Sequence, residues 1–72
     1  MNNLVHMANQ IGAFFESMPN REQALADTAA HLKKFWDPRM RRELLHYIDE
    51  QGGVLLSDMV QEAVRTHRAA IL

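Results

Sequence analysis

Apolar residues recur along this chain at intervals of three and four and nowhere alternate strictly with polar ones. That is the period of helices packed on one side, not of strands. Leu4, Met7, Ala8, Ile11, Phe14, Phe15 and Met18 form the first stripe. Asn2 and Asn3 suit its start, because an asparagine side chain accepts the orphan amide protons of a first turn. Pro19 stops it and restricts Met18 before it, so a helix is expected over 3–18. Asn20 caps a second helix, 20–36, with Gln23 in the capping-box position. Leu25, Ala29, Leu32 and Trp36 make its apolar stripe, with Thr28 and Phe35 at the borders.

Asp37-Pro38 is the sharpest punctuation in the chain. Aspartate is a good N-cap, and proline suits the first helical position, where its missing N–H is no loss. A third helix, 38–51, therefore starts almost where the second stops. Met40, Leu44, Tyr47 and Ile48 line one face with Leu45 beside them, and Gly52-Gly53 ends it. Ser57 caps a fourth helix over 58–70, and Asp58 favours its positive end. Val60, Ala63, Val64, His67 and Ile71 share a face, and the tail after Arg68 is expected to fray. The pattern predicts an all-α fold, a small bundle of three to four short helices, in one domain spanning 1–72.

Composition sets the energetic frame. A chain of 72 residues buries only about 60% of its unfolded surface, which makes a lone fold marginal. It has no cysteine, so disulfides, thiolate zinc and cysteine-held iron–sulfur clusters are excluded. Tight packing or a partner remains as the source of stability. The formal net charge is −1, so no global basic field draws nucleic acid. No apolar run approaches the ~20 residues of a membrane span. Met1 to His6 lack a charged segment followed by an apolar one, so no signal peptide is expected. The expectation is a soluble, cytoplasmic chain.

Most enzyme equipment is missing. The glycines are Gly12, Gly52 and Gly53, which cannot build a dinucleotide or P-loop site. Ser17 and Ser57 do not sit in a nucleophile elbow, and there is no zinc-protease motif. So small a chain also has little room for a pocket of ~300 Å³ without losing its core. No catalytic, cofactor-binding or metal-ligating residue is expected.

Two features stand out instead. Between Lys33 and Arg42 the sequence KKFWDPRMRR packs five cations and one carboxylate. Arg39, Arg41 and Arg42 fall in the first turns of the third helix, where the macrodipole is already positive and each cation costs about 0.3–1 kcal/mol. Asp37 offsets part of this, and Arg39 with Glu43 has the spacing of an i, i+4 pair. The arrangement points either to an anionic target, a carboxylate patch or a phosphate, or to a solvated face with local pairs. The second feature is the doubled rings Phe14-Phe15 and Phe35-Trp36. Neighbours on a helix point about 100° apart, so both cannot face one narrow stripe. Trp36 fits the stripe with Leu32, leaving Phe35 at its edge. Either the bundle wraps both rings of each pair, or one ring of each anchors a partner, since Trp, Phe and Arg are typical of interface hot spots.

The histidines are scattered. His46, Asp49 and Glu50 could share a helix face but read best as a surface polar cluster, and His67 as a packed or border residue. The methionines Met1, Met7, Met18, Met40 and Met59 read as core filling. The proline-hinged pair of helices invites a helix-turn-helix comparison, with the arginines entering a major groove. Asp37-Pro38 leaves no three- or four-residue turn, however, and the net charge is wrong for DNA.

At these residues the chain resembles a known family. Met7 to Phe15 (MANQIGAFF), His31 to Leu45 (HLKKFWDPRMRRELL) and Leu55 to Val64 (LLSDMVQEAV) are similar to the delta subunit of soluble, NAD-dependent, molybdenum-containing formate dehydrogenases. The likeness runs roughly from Leu4 to Val64 and is most specific in MANQI and FWDPRMR. It implies a small non-catalytic component of a bacterial cytoplasmic complex. In that complex an alpha subunit with bis-molybdopterin guanine dinucleotide and iron–sulfur clusters oxidises formate. A beta subunit with FMN reduces NAD, and a gamma subunit carries further iron–sulfur. A cysteine-free chain agrees with a role apart from electron transfer. The resulting expectation is an accessory subunit docking on the alpha subunit through Phe35, Trp36, Arg39, Arg41, Arg42, Phe14 and Phe15, to stabilise or help assemble the complex. The competing expectations are an assembly factor for molybdenum cofactor insertion or retention, whose pyrophosphate would suit the arginines, and a small DNA-binding regulator.

Overall fold

A computed structural model describes residues 3–72 of the chain. It contains five helices, α1 (Asn3–Glu16), α2 (Arg21–Phe35), α3 (Pro38–Gln51), α4 (Asp58–Thr66) and α5 (Arg68–Ile71), with no strand among the described residues. Asn2, a candidate cap, and Met1 lie outside them. The all-α bundle expected from the periodicity is what forms, and three of the expected caps are in place. Asn20 accepts from the Gln23 amide at 2.9 Å, Asp37 from the Met40 amide at 2.9 Å and Ser57 from the Val60 amide at 3.3 Å. The capping box is not closed, because the Gln23 side chain turns forward to Asp27 at 2.8 Å. Gly52, at φ 76°, closes α3 in the left-handed conformation and donates its N–H to Ile48.

α2 packs against α1, α4 and α5, and α1 also touches α4 and α3. The short α4 lies at the centre. Its Val60 and Val64 belong to the main apolar cluster with Leu32, Trp36, Leu44 and Ile71, while Met59 and Ala63 join Ala24 and Leu25 in a second one. α1 reaches α4 only because position 12 has no side chain. A Cβ there would stand 2.8 Å from Cγ2 of Val60. Thr28, placed by periodicity at the border of the stripe, is fully buried. Its hydroxyl donates to the Ala24 carbonyl at 2.8 Å, which satisfies a polar group that burial would otherwise strand.

The structure departs from the sequence reading at several helix ends. α1 stops at Glu16, short of Met18, because the Ser17 hydroxyl and the Met18 amide both turn back to carbonyls one turn earlier. Trp36 is extended, at ψ 138°, and so ends α2 one residue early. The expected fourth helix is divided at His67, φ −118° and ψ 31°, which gives five helices where the pattern predicts three or four. Nor does the tail fray. α5 folds back onto α2 and buries Ile71 completely, so tertiary packing outweighs terminal disorder.

The bend at His67 also brings Arg68 to Asp49 of α3 in a two-pronged ion pair, 2.6 and 3.0 Å. A second pair, Arg21 with Glu62, joins α2 to α4 at 2.6 Å. Hydrogen bonding from the arginine holds each carboxyl below its ordinary range. Both pairs are half exposed, so their worth is modest. A carboxylate lowered on folding stabilises above its unfolded pKa and loses that contribution as pH falls through its folded value. The melting temperature should therefore fall as pH is taken down through the carboxylate range, and Asp49→Asn with Glu62→Gln should shrink that fall when melting is followed by circular dichroism. In the same assay at neutral pH, Ile71→Ala should cost about 2–4 kcal/mol. A frayed tail would give no change.

Candidate functional site

Four rings stack along the junction of α1 and α2. Phe14 meets Phe15 edge-on with centroids 5.0 Å apart, Phe15 meets His31 at 6.0 Å, and His31 meets Phe35 at 4.6 Å. The spacings are those of attractive aromatic pairs. The ladder ends in solvent on both sides, for Phe14 is 72% and Phe35 65% exposed. Phe15 is half-buried against the second apolar cluster. Sequence reasoning separated His31 from the rings. Its i, i+4 spacing to Phe35 on one helix was the available signal. Beside the ladder lies a groove of about 540 Å³, lined by Met7, Ile11 and Phe14 of α1, by His31 and Phe35 of α2, and by Trp36 and Met40. Its lining includes no carboxylate.

Trp36 does not share this exposure. It is 4% exposed and packs in the main core, as its place in the Leu32 stripe requires. Each doubled pair thus resolves into one ring facing inward and one outward. Neighbouring positions on a helix cannot do otherwise around a core this thin.

The elbow between α2 and α3 explains the arginines. Arg41 is half-buried. Its guanidinium reaches back over the elbow and donates to the carbonyls of Trp36, at 2.7 Å, and Lys33, at 3.1 Å. Those carbonyls belong to the C-terminal end of α2, the negative pole of its dipole. A charge that reads as misplaced at the start of α3 is therefore well placed at the end of α2. The chain's sharp turn puts the two ends side by side, and a reading confined to one helix at a time misses this. The Nε of Arg41 is buried without a hydrogen-bond partner, a cost set against the two bonds its Nη1 makes. Arg39 forms the expected pair with Glu43, at 3.5 Å, while remaining 84% exposed. Arg42 is exposed and lines a second, polar groove with Arg39, Glu43, His46, Tyr47 and Gln51. The structure thus gathers Phe14, Phe35, Arg39 and Arg42 at the surface and turns Trp36 and Arg41 inward.

Sequence reasoning also missed the clamp on the loop between α3 and α4. Asn9 of α1 donates to the Leu55 carbonyl at 3.0 Å and accepts from the Ser57 amide at 2.8 Å. Tyr47 accepts from the Leu55 amide at 3.2 Å. Gln61 donates to Gly53 and Leu56 at 2.9 and 3.0 Å.

Catalytic chemistry finds little here. Among the described residues no group of three or more His, Asp or Glu side chains is placed to hold a metal ion, and Asp49 of the His46 cluster is taken by Arg68. Only Trp36 and Asp37 separate α2 from α3, too few for a helix-turn-helix. No described helix is long and apolar enough to cross a membrane.

Residues 3–64 match the family model of the NADH-dependent formate dehydrogenase delta subunit, FdsD. The chain belongs to this family. It is a non-catalytic accessory subunit of formate dehydrogenase, as the resemblance in MANQI and FWDPRMR implied. The matched span includes every residue of the aromatic groove and the elbow and stops before α5. Neither a curated protein nor a solved structure matches the chain.

The division of labour within the delta subunit's elbow has a direct check. Arg41→Ala should lower its unfolding free energy by about 1–2 kcal/mol, since it strands two helix-end carbonyls. Arg39→Ala, which removes an exposed pair, should change it by less than about 0.5 kcal/mol. Urea denaturation followed by far-ultraviolet circular dichroism reads both.

Proposed function

We propose that this subunit docks on the catalytic alpha subunit of formate dehydrogenase, with Phe14 and Phe35 as anchors and Arg39 and Arg42 as charged flanks, and so stabilises the assembled enzyme. Phe15, Trp36 and Arg41 act indirectly, by fixing the directions of the exposed groups. The supporting observation is the ring ladder. Its two end members stand in solvent on a rigid stacked scaffold, beside an apolar groove and adjoining an exposed cationic elbow. Isolated exposed rings are a cost to a small monomer, whereas preorganised rings beside arginines are what partner surfaces select. The small core points the same way, since a chain of this size gains stability from a neighbour.

On this reading the beta and gamma subunits share the complex, which is bacterial and cytoplasmic. The redox groups (bis-molybdopterin guanine dinucleotide, iron–sulfur clusters and FMN) reside in the partner subunits. The competing role, loading or retaining the molybdenum cofactor, would use Arg39 and Arg42 to grip its pyrophosphate. Glu43 weighs against it, because its carboxylate is paired with Arg39 and lines the same polar groove, where it would repel a phosphate.

Co-purification separates the possibilities. Phe14→Ser with Phe35→Ser should release the subunit from the alpha subunit, and Arg39→Ala with Arg42→Ala should make its retention fall more steeply with salt. Full retention of both variants across a salt series would overturn the docking face. Molybdenum content of the alpha subunit, measured with and without this chain, should be equal while the complex dissociates faster in its absence. A loss of molybdenum from an otherwise intact complex would favour the loading role.

A further inference from the structure

We infer that the groove between α1 and α2 is the seat of an amphipathic helix of a partner subunit, with about two turns in contact and carboxylates flanking its apolar face. This rests on the docking reading above and adds the chemistry of the occupant. The groove has room for several apolar side chains, at about 540 Å³. Its walls run from Met7 to Phe14 along α1, and that length is about 10 Å at 1.5 Å per residue. A facing helix spans this with anchors at i, i+3 or i+4, and i+7.

The other peptide modes fit poorly. Among the described residues there is no strand, so an extended segment has no sheet edge to join. A proline-rich segment docks on closely set aromatic faces; of the rings that line this groove, Trp36 is 4% exposed and Phe15 half-buried, which leaves Phe14 and Phe35 as separate open rings. Met7, Ile11 and Met40 give the groove adaptable aliphatic walls, and Gln10 and His31 are the polar groups in its lining.

Charge identifies the flanks. Lys34 carries its ammonium 5.6 Å from the centroid of the Phe35 ring, and Arg39 precedes Met40 in the chain. Asp37 caps α3 through the Met40 amide, and Glu43 pairs with Arg39. Even with these carboxylates counted, Lys33, Lys34, Arg39, Arg41 and Arg42 outnumber Asp37 and Glu43 in the segment beside the groove, so its charge is net positive. A partner helix with Asp or Glu flanking its apolar stripe complements it, and a basic helix is repelled.

The test uses the intact enzyme with a photo-reactive benzoylphenylalanine in place of Phe14 or of Phe35. Both positions are already exposed, and an unchanged melting temperature of the variant subunit would verify that the fold holds. On irradiation both positions should cross-link to one segment of one partner subunit. The linked residues should be three, four or seven apart, with Asp or Glu within a turn. Lys34→Glu with Arg39→Glu should weaken retention about tenfold at low salt. Reversing the cross-linked segment's own carboxylates to lysine should restore it.

Cross-links to scattered segments, to a basic or extended one, or to a second copy of this chain would overturn the inference. So would an absence of cross-links in a complex that still retains the subunit, and in that case docking itself would stand. Failure of the unmodified chain to co-purify would instead remove the docking reading and this inference together.

Discussion

The structure turns on the burial of one nine-residue helix. α4 contributes Val60 and Val64 to one apolar cluster and Met59 and Ala63 to the other, all within 1% of complete burial. A helix of this length has no independent stability in water. It persists because α1 and α2, which also pack on each other, enclose it. The contact at Gly12 sets how near α1 can come. In a chain with so little interior, that approach decides whether a continuous core exists at all.

The elbow is a second consequence of economy. With only two residues between α2 and α3, the carbonyl end of one helix and the amide end of the next lie together. Asp37 serves the amides and Arg41 the carbonyls. One short segment thereby satisfies two helix termini with side chains of opposite charge, each at the pole that favours it. Holding the joint shut from inside leaves its outer surface, with Phe35, Arg39 and Arg42, available for other contacts.

Legibility in the sequence followed the range of the interactions. Caps at Asn20, Asp37 and Ser57, the glycine stop at Gly52 and the Arg39–Glu43 pair are local, and each was readable within one turn of chain. The break at His67 was not, because nothing in its neighbours forbids a helix. The gain comes from Ile71 reaching a core built by distant residues. Arg41 was legible as an anomaly and not as a cap, since its partners lie on the preceding helix. The doubled rings left open whether the bundle wraps both of each pair or turns one outward; the Leu32 stripe put Trp36 on the core side, where it is buried, although the expected docking residues include it. That His31 would bridge the two pairs depended on how α1 crosses α2, which periodicity does not encode. Likewise the Asn9 clamp joins positions nearly fifty residues apart.

That clamp bears on how so small a protein carries bare aliphatic residues safely. Val54 and Leu55 stand well out from the loop, at 73% and 56% exposed, in a short apolar run of the kind that recruits strands from other molecules. Yet the amide of Leu55 is held by Tyr47 and its carbonyl by Asn9. At Leu55 both the donor and the acceptor are thus engaged, and that residue offers no template for edge-to-edge pairing. At that position the stickiness is confined to the side chain.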